Sequence, residues 1–167
     1  MDKKELVNIL NEILVPMEFK KKGNYWVING SEITKMVNLQ KSQFGNYYYI
    51  NYGYILKSIP LDDEMVHIYK RLASADKKQN MRIDELLDLE NNIPDKNRAE
   101  ELKNILFEKL AKNLNSVNTE NDILGELKKR PHLNDISLAV KRYFNLPISD
   151  ESEHSVSQLT IRRYVPE

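Results

Sequence analysis

The sequence predicts an α+β fold: an N-terminal helix, a three- to four-stranded antiparallel sheet, and a C-terminal set of about four helices packed on one sheet face. Two observations carry this. Up to Pro60 the chain holds six of its nine tyrosines, its only tryptophan and four of its five glycines, a composition of strands and turns. Beyond about residue 80, Leu, Glu, Lys, Asn and Ile dominate, which is the composition of helices. The two parts read as layers of one α+β domain over 1–167, because neither holds enough apolar residues for a core alone. Helix and sheet then occupy 1–75, the helical layer 80–146, and a linker and tail 147–167.

The first helix is expected over about 3–17. Asp2 and Glu5 are spaced as a capping pair, and Leu6, Leu10, Ile13, Leu14 and Met17 share one helical face. Phe19 to Gly23, with Lys20, Lys21 and Lys22, reads as a basic connector. Tyr25-Trp26-Val27-Ile28 followed by Asn29-Gly30 is a strand entering a hairpin turn. A second strand over about 31–42 turns through Phe44-Gly45-Asn46 into a third over about 47–57. Residues 61–75 fit two patterns: Leu61, Met65, Ile68, Leu72 and Ala75 make a helical stripe, whereas Val66, Ile68 and Leu72 fit one face of a strand.

Four helices follow. One runs from near Met81 to about Asn91, before Pro94; a longer one starts at the cap Asp95 and carries Ala99, Leu102, Ile105, Leu106, Leu110 and Leu114. Thr119 and Asp122 open a third, ending at Lys128-Lys129-Arg130 before Pro131, and Asn134 is placed to cap a fourth through Phe144. Ser149–Ser157 reads as a linker and Leu159–Tyr164 as a last strand or tail.

Side chains alternate across a strand, so register assigns the faces. A two-residue turn at Asn29-Gly30 pairs Ile28 with Ser31 and Trp26 with Ile33. An even-length turn near Gly45 puts Ile50 and Tyr52 with Val37 and Leu39. Trp26, Ile28, Ile33, Val37, Leu39, Ile50, Tyr52, Tyr54 and Leu56 then form the face that helices pack. The opposite face collects Thr34, Met36, Asn38, Gln40, Ser42, Tyr47, Tyr49, Asn51 and Gly53, which is polar without a single charge. If 65–73 is a strand with Val66 and Ile68 inward, His67, Tyr69 and Arg71 join it. Amides and phenols supply donors and acceptors in fixed directions, which suits recognition of a polar ligand or a backbone edge. The alternative is a merely solvated face.

At these residues the chain resembles a family. The amphipathic helix, Phe19-Lys20-Lys21-Lys22-Gly23, Tyr25-Trp26, Val37-Asn38-Leu39-Gln40-Lys41-Ser42 and Tyr49-Ile50-Asn51-Tyr52-Gly53 follow one another as in the bacterial domain-of-unknown-function family 4304. His67-Ile68-Tyr69-Lys70-Arg71-Leu72 and Arg82-Ile83-Asp84-Glu85-Leu86-Leu87 resemble its next two segments. The resemblance spans roughly residues 1–90. It implies the strand over 65–73 and a role for Asn38 and Gln40, and it brings no assigned activity.

Composition bounds the rest. Twenty-five basic residues balance 25 acidic ones, and there is no cysteine, so thiolate chemistry, disulfides and thiolate metal sites are excluded. No apolar run approaches the roughly 18 residues of a membrane span. The start, Met1-Asp2-Lys3-Lys4-Glu5, lacks the apolar stretch of a signal peptide, so a cytoplasmic location is expected. His67, His132 and His154 have no metal-ligand spacing, and no glycine-rich phosphate loop or Gly-x-Ser-x-Gly elbow occurs. Lys20–Lys22, Lys35 and Lys41 beside Tyr47 and Tyr49 are compatible with a stacking platform, but the neutral chain and acidic helical part argue against a nucleic-acid partner.

The expectation is therefore a non-enzymatic protein-binding module, of immunity or accessory type, with no cofactor and an open oligomeric state. Its partner face is Asn38, Gln40, Ser42, Tyr47, Tyr49, Asn51, His67 and Arg71. The alternative is a small-ligand binder or enzyme with a pocket around His67 and Arg71.

Overall fold

A computed structural model describes residues 1–148, so the expected linker at Ser149–Ser157, the segment Leu159–Tyr164 and His154 lie outside the described residues. Helix α1 (Lys3–Leu14) opens with a reciprocal capping box, Asp2 accepting from Glu5 N and Glu5 accepting from Asp2 N. It ends short of the expected Met17 because the chain turns at Glu18, which takes a left-handed φ of 67°.

Five strands follow, all antiparallel and in chain order across the sheet: β1 (Lys20–Lys22), β2 (Tyr25–Asn29), β3 (Ile33–Lys41), β4 (Tyr48–Leu56) and β5 (Ile68–Arg71). The lysine run expected as a connector is thus an edge strand. Its turn into β2 is made at Gly23, whose φ of 60° suits glycine. The segment that fitted both patterns is a strand at Ile68–Arg71.

Register differs from the expected tight turn at Asn29-Gly30. Trp26 pairs with Val37 and Asn29 with Thr34, so the loop is Gly30–Glu32, closed by Gly30 N donating to Ile33 O at 2.9 Å. Thr34 Oγ1 donates to Asn29 Oδ1 at 2.7 Å, which spends the asparagine on pinning the loop. The shift from the expected pairing is even, so every side chain keeps its face.

On one face Trp26, Val37, Leu39, Ile50, Tyr54 and Leu56 are buried with Leu6, Leu10 and Leu14 of α1. Trp26 Nε1 donates to Asn11 Oδ1 at 2.8 Å, joining sheet to helix. The helical layer comprises α2 (Lys77–Leu87), α3 (Asp95–Ile105), a π-helical segment (Leu106–Ala111), α4 (Lys112–Ser116), α5 (Glu120–Lys128) and α6 (Leu138–Tyr143). Helix α2 starts earlier than expected because Asp76 caps it, accepting from Gln79 N at 2.7 Å. Likewise α6 begins after Ser137, not at a cap on Asn134, because residues 131–137 are irregular after Pro131.

Each layer contains one close fit. Arg98 of α3 is 1% exposed and donates from Nη1 to Leu86 O at 2.6 Å and Asp88 O at 2.8 Å, and from Nη2 to Asn91 O at 2.6 Å. A guanidinium thereby satisfies the carbonyls left over at the C-terminus of α2. In β4, Gly53 leaves no room for a side chain: a Cβ there would stand 2.3 Å from Ile68 O and 2.8 Å from Val66 Cγ2.

Candidate functional site

The sheet face away from the core carries a hydrogen-bonded group centred on Asn51. In the register Asn38 and Arg71 flank Asn51 on either side, and Gln40 pairs with Tyr49. Asn51 is 5% exposed, and its amide is used at both ends. Nδ2 donates to Gln40 Oε1 at 2.8 Å, while Oδ1 accepts from Tyr69 Oη at 2.6 Å and from Arg71 Nε at 3.0 Å. Arg71 Nη2 donates to Tyr69 Oη at 3.2 Å, and its guanidinium lies over the Tyr49 ring at 4.1 Å from the centroid.

Tyr49 in turn meets Tyr47 edge to face at 4.7 Å, and Tyr47 Oη donates to Asp84 Oδ1 of α2 at 2.9 Å. Burial, reinforced by the Asp84 bond, pushes the Tyr47 phenol above its ordinary pKa, so it stays a neutral donor. The group thus runs from β3 through β4 and β5 to α2. Its guanidinium makes no ion pair with a described carboxylate.

Two open clefts flank it. One of about 390 Å³ is lined by Asn24, Tyr25, Asn38, Gln40, Lys41, Met65 and Tyr69 among others, and one of about 250 Å³ by Tyr47, Tyr49, Arg71, Asp84 and Leu87. A larger open cleft of about 510 Å³, with Leu127, His132, Lys141 and Leu146 in its walls, involves no sheet residue. Among the described residues, no group of three or more His, Asp or Glu side chains is placed to hold a metal ion.

Six of the eight residues expected on the partner face lie along this surface: Asn38, Gln40, Tyr47, Tyr49, Asn51 and Arg71. Asn38 stands at its margin, its Nδ2 donating to Asn24 O at 3.3 Å. Ser42 is placed in the β3–β4 turn, where its Oγ accepts from Phe44 N at 3.1 Å.

His67 is elsewhere. It is 4% exposed, accepts from Leu56 N at Nδ1 over 2.9 Å and lies 2.8 Å from Pro60 O at Nε2. Acceptance at Nδ1 makes Nε2 the protonated nitrogen, so the neutral ring clamps the β4–β5 connection and has no free nitrogen. Strict alternation failed here because Val66 packs over Gly53, on the Asn51 face, and the strand begins only at Ile68. Val66 is therefore not inward as expected, and among the described residues the clefts beside Arg71 are not lined by His67.

Sequence reasoning left Asp84 and Met65 out of the site. No local pattern links Asp84 to Tyr47, 37 residues away.

Residues 10–117 match the family model described as Domain of unknown function (DUF4304). The chain belongs to this family. The DUF4304 match takes in the end of α1, all five strands and the helices α2 through α4, so every member of the Asn51 group falls inside it. It begins later than the resemblance over roughly 1–90 and reaches further toward the C-terminus. No curated protein and no solved structure matches the chain.

Proposed function

We propose that this protein is a non-enzymatic, protein-binding module of the bacterial cytoplasm, of immunity or accessory type, working as one α+β domain. Its partner rests on the surface made by Gln40, Tyr49, Asn51, Tyr69 and Arg71. The observation that supports this most is the state of Arg71. Its Nε and Nη2 are spent on Asn51 and Tyr69, its plane is seated on Tyr49, and it has no ion pair with a described carboxylate. A cation held in one geometry before binding loses little side-chain entropy when a partner arrives. Arg and Tyr are also the residue types that most often anchor protein interfaces.

The ligand-pocket alternative has less support, since the His67 ring is consumed by backbone groups and the clefts on the polar face are open. Affinity capture on the tagged full chain from a lysate of the source cells tests the proposal, with Gln40→Ala and Tyr49→Ala run beside it. The expected outcome is a protein retained by the wild type and lost from both variants. Recovery of no protein, or of one indifferent to both changes, overturns it.

A further inference from the structure

Strand β5 is the last strand of the sheet, and its outer edge has no strand beside it among the described residues. Leu72 N donates to Ile50 O at 2.8 Å, so the backbone groups of Leu72, Lys70 and Ile68 point toward β4. By the antiparallel alternation, the N–H and C=O of Tyr69 and Arg71 point the other way. No described residue bonds to these four groups. Their side chains stand on the Asn51 face, with Tyr69 45% exposed and Arg71 exposed as well. Open backbone groups, an aromatic and a cation without an ion pair to a described carboxylate therefore coincide on one strand.

We infer that the partner contributes an extended segment that adds to the β5 edge, with an acidic side chain opposite Arg71. This rests on the proposed use of the polar face and names the chemistry that face would take. An added antiparallel strand exchanges both backbone bonds with Arg71 and both with Tyr69. The residue opposite Arg71 shares its face at a Cβ separation of about 5 Å, within reach of a carboxylate bonding to the guanidinium. Two residues further along the partner, the side chain opposite Tyr69 meets that ring and Met65, which is 53% exposed. The expected pattern in the partner is acidic–x–apolar.

The probe is the acetylated and amidated peptide Thr-Val-Thr-Glu-Thr-Phe-Thr, titrated into the ¹⁵N-labelled full chain and followed by amide shifts. Tyr69 and Arg71 amides are expected to move most. Replacing the peptide Glu by Lys should weaken binding about tenfold or more, as should N-methylation of the Glu amide. Arg71→Glu, on an exposed side chain and checked for an unchanged thermal melt, should prefer the Lys peptide.

Equal binding of the Glu and Lys peptides, shifts that avoid β5, or no binding at millimolar peptide would each overturn the inference. A captured partner that depends on Gln40 and Tyr49 but survives Arg71→Glu leaves the proposed function standing and removes this one.

Discussion

Asn51 and Arg71 sit opposite each other on neighbouring strands, and Arg71 Nε donates to the same Asn51 oxygen that accepts from Tyr69. Register alone makes them neighbours, but the shared acceptor makes them a unit. Neither the guanidinium nor the phenol can move without breaking a bond to a nearly buried amide.

Asn51→Ala should therefore remove three hydrogen bonds and leave Gln40 without its donor. The expected cost is about 1–3 kcal/mol, read as a lowered urea midpoint. Partner capture should fall more than stability does at temperatures well below the melt, because Arg71 loses its brace. An unchanged midpoint would mean the amide is not the hub.

Gly53→Ala forces a methyl group to within 2.3 Å of Ile68 O, a backbone atom that moves only if β5 does. A loss of about 1–3 kcal/mol is expected, as for other overpacked sites. Hydrogen exchange should localise it, with amide protection falling at Ile68 and Lys70 before the helical layer responds.

His67→Leu leaves Leu56 N–H buried without its acceptor and releases Pro60 O. It should destabilise by about 1–3 kcal/mol in a denaturant titration while leaving partner capture intact in the cold. Capture lost with stability unchanged would restore His67 to the binding surface.

Alkaline titration probes the packed face. Burial, with Glu126 nearby, pushes the Tyr52 phenol from 10.0 up to about 12, and burial raises Tyr54 as well. The folded state holds these protons more tightly, so their contribution is complete below the unfolded value and is lost as pH rises through the folded one. The unfolding free energy from denaturant titrations should fall between about pH 10 and pH 12, by at most on the order of 3 kcal/mol for Tyr52. Tyr52→Phe should flatten that part of the profile.

Much of this was legible from one-dimensional pattern. The Asp2 and Glu5 spacing determined the start of α1, because a capping box closes within a single turn. Alternation along 33–41 and 48–56, joined by an even-length turn at Gly45, determined that Asn38, Gln40, Tyr49 and Asn51 share a face, and the register shift at Asn29-Gly30 lies between β2 and β3 and does not touch it. What tertiary structure alone decided is where alternation stops and which distant groups meet. Val66 crosses to the Gly53 side and sends His67 into the connection. The lysines at 20–22 become a strand only because β2 is there to pair with them. Arg98, a charged residue in a polar helix, is buried because the C-terminal carbonyls of α2 end beside it. Capping and pleating are properties of a few consecutive residues. Among the described residues, the open edge of β5 and the absence of an ion pair at Arg71 depend on what the other elements leave uncovered.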